Sequence, residues 1–184
     1  MPDYTAYLFA YFEGSGELAT QEQLRFAVSA DAVHWKALNG NRPVIPSDEI
    51  SQTGGIRDPH ILRGEDGHSF YITATDMFTR KNGWEYNPGI VLLKSGNLTD
   101  WTHGIIDLEK SYPEKFAHIK WVWAPQTIYD PEARKYLSTS PYASNTTPPS
   151  ISIAHTPTKI SRPRERASTD VRSQIRCHRR RHHP

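Results

Sequence analysis

The sequence predicts an all-β chain, part of a β-propeller, followed by a disordered basic tail. Three observations carry that prediction. A residue pattern recurs at an offset of 66. Short aromatic and β-branched runs alternate with turn chemistry, and no long amphipathic helix can be traced. The composition then changes abruptly near Leu137.

The repeat is anchored by Ser29-Ala-Asp-Ala-Val-His-Trp35 and Ser95-Gly-Asn-Leu-Thr-Asp-Trp101, each preceded by an apolar run, 24–28 and 90–94. The same offset lays Pro59-His-Ile-Leu-Arg63 over Pro125-Gln-Thr-Ile-Tyr129, and Phe70-Tyr71 over Tyr136-Leu137. In chain order, residues 7–12 and 24–28 are expected to be the second and third strands of one unit. Residues 59–63 open the next unit, and Gly64-Glu-Asp-Gly67 supplies a hairpin turn. Residues 69–75, aromatic and β-branched, form its second strand, 90–94 its third, and the segment after Trp101 its fourth. Four-stranded units repeating radially make a propeller. A β-sandwich with an accidental echo is the alternative.

The 184 residues carry a net charge of +2, an average over two unlike pieces. Residues 1–137 hold 13 Lys+Arg against 18 Asp+Glu, whereas residues 138–184 hold 9 against 2. The second piece has 14 Ser+Thr, 6 Pro and one aromatic, Tyr142. Too little apolar surface is available there to offset chain entropy of roughly 1–2 kcal/mol per residue. The expected division is therefore a propeller domain at 1–137 and a disordered tail at 138–184. No apolar run reaches membrane-spanning length, and no basic n-region precedes an apolar stretch, so the protein is expected to be cytoplasmic as translated. Cys177 alone excludes a disulfide framework or a multi-cysteine zinc site. The Cys177-His178, His182-His183 and Arg179–Arg181 clusters lack metal-ligand spacing or aromatic interleaving, so neither a metal nor nucleic acid is expected there.

Tyr7-Leu-Phe-Ala-Tyr11, Ile56-Arg-Asp-Pro-His-Ile61, Trp123-Ala-Pro-Gln126 and the Ser-x-Asp-x-x-x-Trp pattern together resemble glycoside hydrolase family 43, over residues 4–137. The resemblance implies a five-bladed propeller, present here as about two to two and a half blades. It also implies an inverting glycosidase of β-xylosidase or α-L-arabinofuranosidase type, acting on arabinose- or xylose-containing carbohydrate. No cofactor is expected; the resemblance leaves a structural calcium ion open for the full-length family, and nothing in this sequence supports one. The Asp of the early Asp-Pro motif is the family's general base, a role that falls on Asp58. The family's second Asp and its Glu general acid come from later blades, and no matching motif follows here. Fructan-cleaving propellers share Arg-Asp-Pro but need an upstream Asn-Asp-Pro, which residues 1–57 lack. A non-catalytic sugar-binding propeller is the other alternative.

The repeat singles out Asp58 independently, because at the same offset its counterpart is Ala124. A blade scaffold therefore does not require a carboxylate there, although Asp before proline is also a common turn residue. Asp76, after the second strand, is a candidate to line the funnel or a loop carboxylate. Trp84 and Trp123 are candidate platforms for a sugar ring, against a loop anchor and a core residue respectively. Trp35 and Trp101 recur with the repeat and read as structural, and Asp130 and Glu132 as a solvated turn. In the tail, restoring one nucleotide after Leu137, with TCN serine codons, turns residues 138–144 into an alternating apolar strand. Residues 138–184 are thus expected to be an out-of-frame product, and the chain a truncated, inactive fragment.

Overall fold

The computed structural model describes residues 5–14 and 20–144, together with the two short strands Ile153–Ala154 and Arg176–Cys177. Among the described residues no helix is long and apolar enough to cross a membrane. A first blade is a three-stranded sheet of β1 (Tyr7–Tyr11), β2 (Arg25–Ser29) and β3 (Lys36–Ala37). A second is a complete antiparallel meander of β4 (Ile56–Arg63), β5 (Phe70–Asp76), β6 (Gly89–Ser95) and β7 (Trp101–Asp107). The third begins with β8 (Ile119–Val122), β9 (Gln126–Asp130), β10 (Lys135–Thr139) and β11 (Tyr142–Ser144), in which β9 pairs with β10 and β8 with β11. Among the described residues helix is confined to single turns, α1 (Ser47–Ile50), α2 (Thr79–Asn82), α3 (Leu108–Ser111) and α4 (Pro113–Phe116), with one 3-10 turn at Asn39–Asn41.

The repeat is a repeat of hydrogen bonds. Asp31 Oδ1 accepts from the N–H groups of Val33 and His34 at 2.9 and 2.8 Å. Its counterpart, Asn97 Oδ1, accepts from Thr99 and Asp100 at 3.0 and 2.8 Å. Ser29 Oγ and Ser95 Oγ accept from the N–H groups of Asp31 and Asn97. Ala32 and Leu98 then both turn left-handed, with φ of 61° and 65°. These Asx turns explain why the pattern fixes Ser and Asp or Asn two residues apart. The indole of Trp101 donates to Leu98 O at 3.2 Å, closing the loop that the turn opens. In β1 the repeat is out of step by three residues, since Ser29 faces Tyr7 whereas Ser95 faces Phe70.

The blades pack by contrasting interfaces. Between the first and second, Ala10, Leu24 and Phe26 meet Ile56, Ile72, Ala74, Val91 and Leu93 in one buried apolar cluster. On the other face of the second blade, Ile90 and Leu108 join Phe116, Ile119, Val122 and Tyr142. Nearer the inner strands that second interface becomes hydroxylic. Thr73 Oγ1 lies 3.2 Å from Thr127 Oγ1, which lies 2.7 Å from Ser138 Oγ. Thr127 N donates to His60 Nδ1 at 3.2 Å. The opposite face of β1 carries Tyr7 and Phe9 in the open, and the exposed Trp35, just before β3, lies against Phe9 with ring centroids 5.4 Å apart. Tyr7 and Phe9 there match Phe70 and Ile72 in the second blade, and Ile72 packs onto the first.

The expected boundary at Leu137 is not an edge of the fold. β10 runs to Thr139, Ser138 and Ser140 are buried, and Tyr142 stands in the second core cluster. The composition obscured this because these residues are buried through hydroxyl bonds: Ser138 to Thr127, and Ser140 to the carbonyl of Trp123. Residues 138–139 and 142–144 are strand, so the change from fold to tail expected at Leu137 does not fall there. Apart from the two short strands at 153–154 and 176–177, the rest of the expected disordered tail, with its Arg179–Arg181 run, lies outside the described residues.

His60 yields a prediction. Its Nδ1 accepts a hydrogen bond only when unprotonated, and burial holds its pKa below the ordinary 6.5. The unfolded chain then binds more protons than the folded one in this window. Stability is therefore full above about pH 6.5 and declines as pH falls from there through the lowered folded pKa. Melting temperature followed against pH should show this decline in the wild type and a shallower one in His60→Gln, whose amide oxygen accepts without titrating. Identical profiles would remove His60 as the cause.

Candidate functional site

The site is built at a break in the ladder between β4 and β5. Register jumps from Arg57 opposite Thr75 to His60 opposite Thr73, so Asp58 and Pro59 together face Ala74. Pro59 has no N–H to give the ladder, and Asp58 takes a φ of 49°. A bulge of this kind re-aims a side chain away from the sheet. Asp58 is half-buried, and its Oδ2 accepts from Thr75 Oγ1 at 3.2 Å.

The third blade repeats this corner without the carboxylate. Ala124 also precedes a proline, and its φ is 45°. Its N–H donates to the same Thr75 Oγ1 at 2.9 Å. Two equivalent left-handed corners on neighbouring blades thus meet at one buried hydroxyl, and of the two only Asp58 carries an acid.

Aromatic rings gather beside these corners. Trp123, next to Ala124, stacks on Trp121 with centroids 4.1 Å apart and planes 11° from parallel. Trp84 meets Trp123 edge-on at 6.1 Å and is 49% exposed. Arg57, next to Asp58, lies under the Trp84 ring at 4.7 Å from its centroid. The structure therefore brings Asp58, Trp84 and Trp123 into one neighbourhood. Trp123 is the middle ring, half-buried, with a buried Nε1 that has no hydrogen-bond partner, and Trp84 is the exposed ring of the three.

Asp76 stands apart from this group. It is 1% exposed at the end of β5. Its Oδ2 accepts from Gln52 N at 2.8 Å, and its Oδ1 from Thr53 N and Thr53 Oγ1 at 3.0 and 2.7 Å. Of the two readings of Asp76 the loop carboxylate is the one observed and the funnel lining is corrected: the carboxylate braces the loop that leads into β4. The loop lies close enough there that a Cβ on Gly55 would come within 2.4 Å of Met77 O.

Sequence reasoning passed over Glu22, Arg57, Thr75 and Trp121. Arg57 and Thr75 carried a signal in their adjacency to Asp58 and to the end of the second strand. Glu22 carried none, because its partners are distant in sequence. Among the described residues no group of three or more His, Cys, Asp or Glu side chains is placed to hold a metal ion.

The sequence profile of a family described as a probable glycosyl hydrolase domain, related to family 43, matches residues 2–156. The match, like the strands, continues past Leu137. An α-L-arabinofuranosidase of Bifidobacterium longum subsp. longum is 25% identical over 141 residues, 74% of this chain and 13% of that protein. An exo-β-1,3-galactanase from Phanerochaete chrysosporium, solved with β-1,3-galactotriose, aligns with a TM-score of 0.55 at 11% identity. That likeness is one of fold, and it covers 84% of this chain and 33% of the galactanase. The chain thus spans a minor part of both relatives.

The placement of Asp76 is testable. Asp76→Ala leaves the N–H groups of Gln52 and Thr53 without their acceptor in a buried corner, at a cost of roughly 1–3 kcal/mol. Urea unfolding should show that loss, with amide exchange quickened at residues 52 and 53. Unaltered stability would mean the loop holds itself.

Proposed function

Because the chain belongs to the glycosyl hydrolase family related to family 43, we propose that it carries the general-base side of an inverting glycosidase site, with Asp58 as the base. The supporting observation is the pair of matched corners. Asp58 and Ala124 share a left-handed φ and a following proline, so a corner of this shape forms without a carboxylate. The acid at Asp58 is then explained by chemistry. Thr75 holds Oδ2, which leaves Oδ1 to take the proton of a water attacking the anomeric carbon. The exposed Trp84 ring offers an apolar surface to a sugar face.

Inverting hydrolysis needs a second carboxyl, roughly 6.5–9.5 Å from the first, to protonate the departing oxygen. Neither buried carboxylate nearby is free for that role, since Asp76 is bonded to its loop and Glu22 to Arg57 and Thr79. The described residues supply the base and a stacking platform, and the acid is not among these groups. The substrate we propose is a terminal arabinofuranosyl or xylosyl unit of a plant oligosaccharide. The arabinofuranosidase relative favours the arabinofuranosyl unit.

In any form of the protein that cleaves an aryl arabinofuranoside or xyloside, Asp58→Asn is expected to lower kcat/KM roughly 10²- to 10⁴-fold. Its melting temperature should change little. Near-full activity in that variant would take the base role from Asp58. The 184-residue chain by itself is expected to bind arabino-oligosaccharide, read by quenching of indole fluorescence, without measurable release of aglycone. Turnover by this chain that Asp58→Asn abolishes would show that an acid is present after all.

A further inference from the structure

The site as proposed leaves one buried carboxylate without a task. Glu22, in the connection between β1 and β2, is 1% exposed and has a φ of 58°. A left-handed residue other than glycine persists where its surroundings over-determine it. Here they do. Both carboxylate oxygens accept from Thr79 N, at 3.1 and 3.0 Å, and Oε1 accepts from Thr79 Oγ1 at 2.6 Å. Oε1 also lies 2.6 Å from Arg57 Nη1. The backbone of Glu22 is held as well, its carbonyl accepting from Ile56 N at 2.6 Å and its N–H donating to Glu13 O at 3.0 Å.

One residue therefore joins the first blade, the first residue of β4 and the α2 turn that leads to Trp84. Arg57 is the lever. Its guanidinium lies between the rings of Phe12 and Trp84, 4.7 Å from each centroid, while Glu22 bonds its edge. A planar guanidinium suits this placement, with two faces for rings and an edge for a carboxylate. Arg57 is also the last residue paired with β5 before the bulge at Asp58. Anything that moves its backbone or side chain is transmitted to the bulge on one side and to the Trp84 ring on the other.

We propose that Glu22 is the positioning residue of this site, acting through Arg57 to set the Trp84 ring for sugar stacking and the bulge that aims Asp58. The proposal rests on reading Asp58 and Trp84 as parts of a glycosidase site. Glu22 touches no substrate in this account. Its charge matters because an amide in its place would keep one oxygen for Arg57 but turn its NH₂ toward Thr79 N, donor against donor, and would replace the ion pair with a weaker neutral bond.

The test uses the whole chain and two readouts. The first is the emission of Trp84, taken as the difference between each protein and its Trp84→Phe counterpart. The second is the affinity for arabino-oligosaccharide, titrated well below the melting temperature. Glu22→Gln is expected to shift Trp84 emission to longer wavelength and to weaken sugar binding about tenfold. Arg57→Lys should do the same, since an ammonium keeps the charge pair but cannot fill the space between two rings. It decides the matter if Glu22→Gln does not fold. A lowered melting temperature with unchanged Trp84 emission and unchanged affinity would reduce Glu22 to a structural residue and overturn the proposal. A wild-type chain that binds no arabino-oligosaccharide would count against the glycosidase reading, and the Trp84 emission alone would then decide the role of Glu22.

Discussion

The hydroxyl of Thr75 is buried at the seam of two blades, where it donates to Asp58 Oδ2 and accepts from Ala124 N. Each of those corners is unfavourable alone. A non-glycine residue at positive φ costs roughly 1–2 kcal/mol, and a following proline further narrows what its neighbour adopts. Together they present one acceptor and one donor to a single oxygen that uses both. The bulge at Asp58 is thus bonded to Thr75 of its own blade, and the same hydroxyl ties it to the corner of the next. The site therefore lies at the seam between blades.

Polar contacts at the seams explain how these blades keep their register. Apolar clusters hold the sheets face to face but tolerate sliding, whereas a hydroxyl, an imidazole or a guanidinium bonds only at set distances and directions. Thr127 is bonded to Thr73, Ser138 and His60 at once. Glu22 and Arg57 do the same for the first seam with full charges. Burying such a pair adds little net stability, and removing one partner costs about 3–5 kcal/mol. The arrangement therefore specifies a geometry more than it strengthens the fold, as a site with a carboxylate and a sugar platform requires.

Much of this was legible beforehand. The Ser and Asp or Asn spacing before Trp35 and Trp101 encodes a local Asx turn, and local turns can be read from spacing. Asp58 stood out because the repeat offered Ala124 as its control, and the shared φ upholds that comparison. Three features were not legible, for different reasons. Glu22 is bonded to Arg57 and Thr79, far away in sequence, and no period reports such contacts. Asp76 follows the strand as a funnel residue would, but the backbone N–H groups it serves arrive from a loop only the fold brings near. The continuation of the fold past Leu137 is not legible from apolar content, because Ser138 and Ser140 are buried by hydrogen bonding.

The central claim is that Asp58 is aimed by a hydroxyl shared between blades. Thr75→Val removes that hydroxyl at nearly constant volume, and hydrogen exchange resolved at the Ala124 amide reads the consequence directly. The account predicts that this amide is protected in the wild type and exchanges roughly tenfold or more faster in the variant, as loss of a buried acceptor implies. Amides of the outer pair β6 and β7 should be unaffected. Unchanged protection at Ala124 in Thr75→Val would contradict it, because the two corners would then be holding their shapes without each other.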